Sequence, residues 1–310
     1  MLGILDATLV GSIPRFAAPL LLAALGGLIC ERAGVFNVAL EGLMLTGAFA
    51  AVAGSYFSGS PVAGVAAAAV AAAAMALVMA LFAIRWHGHI IVVGIAINLL
   101  ASGLTVFLLR ILLGARGAFR HPDLRGLGVV HLPLVDRVPI LGPLVSGHSW
   151  IVYLSLALVF AVWVFLFRHP RGLRLRGVGE HPEAATALGV DVDAYRTLAV
   201  VASGALCGLA GAQLSLANVT LFVEGMSAGR GWIAVVAVLL GRAHPWGVLA
   251  ACLVFGVSDA IGFRLQGLRM PSQFTAMLPY LVTLAVLVVL AARRRRLDNE
   301  RIQNDDSGSP

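Results

Sequence analysis

Residues Leu20 to Ala51, "LLLAALGGLICERAGVFNVALEGLMLTGAFAA", decide the fold. Two apolar runs, longer than a core helix needs, meet at a short polar interruption, and a helix requires about 20 apolar residues to cross the hydrocarbon of a bilayer. Gly34 and Gly42 break the stretch where it turns, so the second run reads as a discontinuous or re-entrant helix, an element that builds solute sites near the midplane of transporters.

Composition agrees. The 310-residue chain is 60% hydrophobic and only 12% charged, with a mean hydropathy of +0.94, where a soluble domain carries about 25% charged residues. This is an integral membrane protein. Apolar length and breakers give nine candidate spans: Pro14 to Cys30, Val38 to Tyr56, Val62 to Ile84, Ile90 to Leu113, Trp150 to Phe167, Thr197 to Leu214, Trp232 to Leu240, Gly247 to Ile261 and Phe274 to Ala292. Trp232 to Leu240 is too short to cross alone. The N-terminus has no basic region before its first apolar run and no small-residue cleavage pattern, so that run is expected to stay in the mature protein.

All 22 basic residues are arginine. Without lysine there is no G-x-x-x-x-G-K-[ST] phosphate loop and no Schiff base, so ATP, if used, must bind another chain. Cys30, Cys207 and Cys252 lie in or beside apolar runs, where cysteine acts as a small hydrophobe; no disulfide framework or metal site is expected. His87 and His89 in "HGH" lack a third ligand and read as a solvated turn. The arginine runs at Arg168 to Arg176 and Arg293 to Arg296 place those segments in the cytoplasm, which puts the N-terminus outside, the C-terminus inside and Gly114 to Ser149 outside. Residues 1–297 form the transmembrane domain, and the polar tail 298–310 is expected to be disordered.

One acidic island stands out, Gly179 to Tyr195, "GEHPEAATALGVDVDAY". Pro182 suits a first helical turn, Glu183 meets the positive end of the helix dipole, Gly189 suits the left-handed residue after the helix, and Asp191 can cap the next one. The chain at Glu183 to Gly189, "EAATALG", resembles the E-A-A-x-x-x-G pattern of the cytoplasmic coupling loop in ABC importer permeases, although the later part of that pattern is not matched. The opening stretch resembles the N-terminal part of the importer permeases for nucleosides and simple sugars: Glu31, Arg32, Gly34, Asn37, Ala39, Leu40, Glu41, Gly42, Met44 and Gly47 fit E-R-x-G-x-x-N-x-A-L-E-G-x-M-L-x-G. "GIAINLLASGLT" from Gly94, "GRGWIAVVAVLLGRAHPWG" from Gly229 and "FGVSDAI" from Phe255 extend the likeness over nearly the whole chain. It looks most like the shorter permease subunit of the nucleoside type.

The resemblance implies an all-α polytopic membrane protein of about nine transmembrane helices with discontinuous segments and a cytoplasmic coupling helix in a coupling loop, residues 168–195. It implies a permease of the bacterial inner membrane rather than an enzyme. Its implied partners are ABC ATP-binding subunits, a second and longer permease chain, and an extracytoplasmic solute-binding lipoprotein, with no cofactor and no nucleic acid. Glu183, Ala184, Ala185 and Gly189 would couple it to the ATPase.

Polar groups inside apolar spans are the other clue, because such groups usually face protein or a water-filled path. Asn37, Glu41, Asn98, Trp232 and Asp259 are the candidates for the substrate path. Asn37 and Glu41, four apart, would share one face if helical. Each has a bland alternative: Glu41 capping a helix or pairing with Arg32, Asp259 facing Arg264 near the outer interface, Asn98 a packing hydrogen bond, Trp232 an interface anchor, and Arg230 an interfacial cation. The Ala and Gly of "GVAAAAVAAAAMA", Gly64 to Ala76, suit close helix packing. "EG" near Met at Glu41-Gly42 and Glu224-Gly225 hints at an internal repeat. Few buried charges, mostly carboxylate, fit a neutral, hydroxyl-rich solute, and amides both donate and accept. Nucleoside over sugar or branched-chain amino acid rests on the resemblance. An ATP-independent carrier is the rival class, and an embedded enzyme is disfavoured by the lack of H-E-x-x-H or G-x-S-x-G.

Overall fold

A backbone amide left open in hydrocarbon costs several kcal/mol, so a chain this apolar must satisfy its amides within helices. The computed structural model describes residues 7–131 and 141–266, together with Met277 and Leu281. The helices are α1 (Ala7–Arg32), α2 (Leu40–Ser58), α3 (Pro61–Ala80), α4 (Ile90–Leu112), α5 (Leu141–Val145), α6 (Trp150–Arg168), α7 (Pro170–Glu180), α8 (Pro182–Ala187), α9 (Val192–Ala212), α10 (Arg230–Leu240) and α11 (Pro245–Gln266). π-helical turns at Leu81–Arg85 and Gln213–Val219 prolong α3 and α9. Two short antiparallel pairs close one end of the bundle: β1 (Ala118–Phe119) with β4 (Phe222–Val223), and β2 (Val129–Val130) with β3 (His148–Ser149).

Among the described residues, seven helices are long and apolar enough to span: Leu9–Arg32, Leu40–Ser58, Pro61–Arg85, Ile90–Leu112, Trp150–Arg168, Val192–Val219 and Pro245–Leu265. These are seven of the nine expected spans, with ends moved by a few residues. The eighth, Trp232 to Leu240, is the short helix α10, and the ninth, Phe274 to Ala292, lies outside the described residues, as does the tail 298–310. The fold is an all-α, multi-pass membrane bundle.

α1 is its axis. Leu20, Leu22, Leu25 and Leu28 are fully enclosed, and α2, α6, α9, α10 and α11 all pack on this helix. α4 lies at the periphery, with Leu99, Phe107 and Ile111 on its exposed side. Inside the bundle, close approach replaces side-chain bulk. Gly204, Gly208 and Gly211 of α9 meet the backbones of α3 and α2, and a Cβ placed on Gly47 would stand 2.5 Å from the Gly208 Cα. The Ala and Gly of α3 supply the opposite surface, with Ala68, Ala72 and Ala76 buried, so the packing expected from that stretch is present.

The island folds as anticipated. Pro182 opens α8, Gly189 follows it at φ +78°, and Asp191 Oδ1 accepts the Ala194 N–H at 3.0 Å to cap α9. The paired "EG" words do not match structurally. Glu41-Gly42 lies in the first turn of α2, whereas Glu224 follows β4 outside any helix and accepts the Gly117 N–H at 3.0 Å.

Candidate functional site

Residues 33–39 are not helical. The chain leaves α1 at Arg32, turns through Gly34 and doubles back along the helix it has just left. Asn37 marks the depth it reaches: Nδ2 donates to Ser203 Oγ of α9 at 3.0 Å and approaches Cys30 Sγ of α1 at 3.8 Å. Its Oδ1 accepts the Ala39 N–H at 2.9 Å. α2 therefore starts inside the bundle. Asn37 precedes the helix, so the condition under which Asn37 and Glu41 would share a helical face is not met: the break at Gly34 extends to Ala39.

A helix that starts inside a membrane needs partners for its first amides. For α2 they come from the neighbouring helix: Asn98 Oδ1 of α4 accepts the Gly42 N–H at 2.8 Å, and Asn98 Nδ2 donates to the Val38 carbonyl at 3.0 Å. Asn98 caps α2 from outside it.

α10 repeats the situation. Its 11 residues rise about 16 Å, roughly half of the ~30 Å hydrocarbon layer. Its lower end is tied to the end of α1 that carries Arg32, whose Nε donates to the Ala243 carbonyl at 2.7 Å. Its N-terminus therefore lies near mid-depth, reached from β4 by residues 224–229. There Glu41 receives it. Oε1 accepts the Gly229 N–H at 2.8 Å and Oε2 the Gly231 N–H at 2.6 Å. A side chain on Gly231 would collide with the Glu41 backbone, so the glycine permits the contact. A carboxylate here also complements the positive end of the helix dipole.

Arg230, the first residue of α10, faces α11. Its Nε stands 3.8 Å from Asp259 Oδ2, and its Nη1 donates to the Ser227 carbonyl at 3.4 Å. Trp232, two residues on, is 45% exposed. Glu41, Arg230 and Asp259 thus come together at one helix end, while Asn37 and Asn98 fasten the neighbouring break; Trp232 lies with Val236 and Leu239 on the more exposed face of α10. Sequence reasoning set Arg230 aside and missed Ser203. The signal for Arg230 was its place, at the start of a span too short to cross.

α8 lies apart from this group, with Glu183, Ala184 and Gly189 exposed, Ala185 buried and Leu188 84% exposed. The two regions touch through the α1–α2 turn. A Cβ on Gly34 would stand 3.2 Å from the Gly179 Cα of α7, and Arg196 Nε of α9 donates to the Ala33 carbonyl at 3.4 Å. Nearby, the Arg176 guanidinium sits 4.7 Å above the Phe167 ring and Arg32 5.8 Å from it, tying α7 to α6 and α1.

The family model described as branched-chain amino acid transport system / permease component matches residues 9–290. The guanosine ABC transporter permease protein of Bacillus subtilis is 36% identical over 301 residues, covering 94% of this chain and 92% of that protein. A putative glucose ABC transporter permease protein of Haloferax volcanii is 35% identical over 309 residues, covering 92% and 90%. The nucleoside ABC transporter permease protein of Lactococcus lactis subsp. cremoris is 32% identical over 296 residues, covering 92% of each. Among solved structures, an inward-facing conformation of a putative metal-chelate type ABC transporter superposes with a TM-score of 0.55 at 16% identity, over 91% of this chain and 85% of that one; this likeness concerns the fold.

Proposed function

From the premise that the chain belongs to the branched-chain amino acid transport system / permease component family, we propose that it is the membrane-spanning subunit of an ATP-driven importer whose solute is a nucleoside. The observation that carries this is the α10 N-terminus, a half-helix that ends at mid-depth against Glu41, Arg230 and Asp259. Charged groups at that depth face protein or a water-filled route, and interrupted helices are how transporters place them there. Guanosine and nucleoside permeases among the relatives favour nucleosides; the glucose relative makes a sugar the second reading. In this proposal the route passes Glu41, Trp232 and Asp259, and Asn37 and Asn98 hold the breaks that form it.

The chain has no lysine, so ATP hydrolysis is assigned to partner ATPases. A second, longer permease and an extracytoplasmic lipoprotein complete the complex in the bacterial inner membrane, with the N-terminus outside and α8 in the cytoplasm. Residues 1–297 act as the permease domain and residues 168–195 as its coupling loop. ATPase motion, received through Glu183, Ala184, Ala185 and Gly189, passes by the Gly179–Gly34 contact to the α1–α2 turn and from there to α2 and Glu41. The path then changes its open side by alternating access.

Gly189→Val tests the lever. At φ +78° a β-branched residue is strained by about 1–2 kcal/mol, and no neighbour would be struck. The expected result is inserted protein whose ATPase still turns over while uptake falls severalfold; unchanged uptake would count against the lever. The function itself is tested by uptake of radiolabelled nucleosides and pentoses in cells carrying the whole operon, without this chain, and with an ATPase-dead partner. Nucleoside uptake is expected only in the intact strain. Uptake that survives the dead ATPase would remove the ABC reading, and loss of pentose uptake alone would move it to sugars.

A further inference from the structure

Resting on the nucleoside reading, we infer that Arg230 and Asp259 form the pair that reads the edge of the base, and that the base they suit is a 6-oxopurine such as guanine. Their Nε···Oδ2 distance, 3.8 Å, is an ion-pair contact but exceeds a hydrogen bond. Asp259 Oδ2 is buried and has no hydrogen bond among the described residues. The Arg230 guanidinium, with five N–H donors, gives one long bond to the Ser227 carbonyl. A buried pair kept only to hold two helices together repays its desolvation when its geometry is tight and its remaining valences are filled. This pair has neither feature, so it has capacity to spare for a third party.

The open side of the pair points to where that party enters. Side-chain exposure is 26% for Arg230 and 12% for Asp259, and ionised groups at this depth do not face lipid. Together Arg230 and Asp259 present donors and an adjacent carboxylate. Guanine is the complement: its O6 accepts from the guanidinium, while its N1–H and N2–H donate to the carboxylate. Both contacts are charge-assisted, which strengthens them. Adenine offers the carboxylate one amino group in place of two parallel donors and has no oxygen for the guanidinium.

The test uses the complete complex of permeases and ATPases in nanodiscs, without the external binding protein, and measures equilibrium binding of tritiated guanosine. Unlabelled guanosine is expected to displace the label, whereas 1-methylguanosine, adenosine and D-glucose should need about tenfold or more higher concentration, because each lacks the full donor set. Asp259→Asn and Arg230→Gln should each weaken guanosine binding by about tenfold or more. The methylated competitor requires only the wild-type chain, so a variant that fails to assemble does not spare the inference. Displacement by 1-methylguanosine or glucose as effective as by guanosine, no guanosine binding to the wild-type complex, or variants that bind as wild type would each overturn it. Lipoprotein-dependent nucleoside uptake by cells is read separately: if it persists while these binding results fail, the transport function stands and the base-reading pair falls.

Discussion

Replacing Gly208 with leucine is expected to lower the amount of folded protein in the membrane fraction by at least about tenfold. Gly208 sits on α9 where three backbones converge: an added Cβ would stand 2.8 Å from the Ala69 Cα and would collide with the Ala68 carbonyl, while from the other side Gly47 of α2 leaves no room. Overpacking in a core costs about 1–3 kcal/mol when neighbouring side chains can shift. Here the neighbours are main chain, held by their own helical bonds, so relief requires α2 or α3 to move away as a body. α3 and α9 bury Ala68, Ala72, Gly204 and Gly208 against each other, and small residues are what allow membrane helices to associate. With a total stability of about 5–15 kcal/mol, loss of that contact is enough to send the chain to quality control. Quantitative blotting of membranes, with size-exclusion of the detergent extract, reads the effect; a monodisperse wild-type yield would show that the α2–α3–α9 contact is not what holds the bundle. Gly208→Ala should fall between the two.

That contact was readable in the sequence because it depends on residue size and helical spacing. The Gly64 to Ala76 stretch and the seven long spans follow from local composition alone. The site was less legible, for a physical reason. Asn37, Glu41, Asn98 and Asp259 stand out as polar residues in apolar surroundings, yet their partners, Ser203, Gly229, Val38 and Arg230, lie far away in the chain. No period or spacing connects residues 41 and 229. The same limit left the conformation at Asn37 open: a break is visible at Gly34, but how far the chain runs before resuming its helix is set by the depth at which Ser203 and Cys30 wait for it. Arg230 shows the converse. A charge at the head of an 11-residue helix reads as an interface cation until the short length is taken to mean that the helix starts inside the membrane.

Glu41→Ala should leave the bundle inserted but reduce ATP-driven uptake by at least about tenfold. The substitution removes both acceptors at the α10 N-terminus, leaving the Gly229 and Gly231 N–H groups, now served at 2.8 and 2.6 Å, without a protein partner at mid-depth. A hydrogen bond to a charged group contributes about 1.5–3 kcal/mol, and a stranded buried donor costs about 1–3 kcal/mol. The loss falls on α10 alone, since α1, α2, α3 and α9 keep their contacts, so the expected defect is misplacement of the half-helix rather than loss of the fold. Conservative replacements separate capping from charge. Glu41→Gln keeps one carbonyl acceptor but turns an amide N–H₂ toward a donor, and should recover part of the uptake; Glu41→Asp keeps the charge but is one methylene too short to reach both amides, and should recover less. If charge alone mattered, aspartate would outperform glutamine. Cysteine accessibility at Val236, on the half-exposed side of α10, gives a readout independent of transport: its labelling rate should rise in Glu41→Ala and return toward wild type in Glu41→Gln. Wild-type uptake in Glu41→Ala would mean that water fills the cap as well as the carboxylate does, and the capping role of Glu41 would fall.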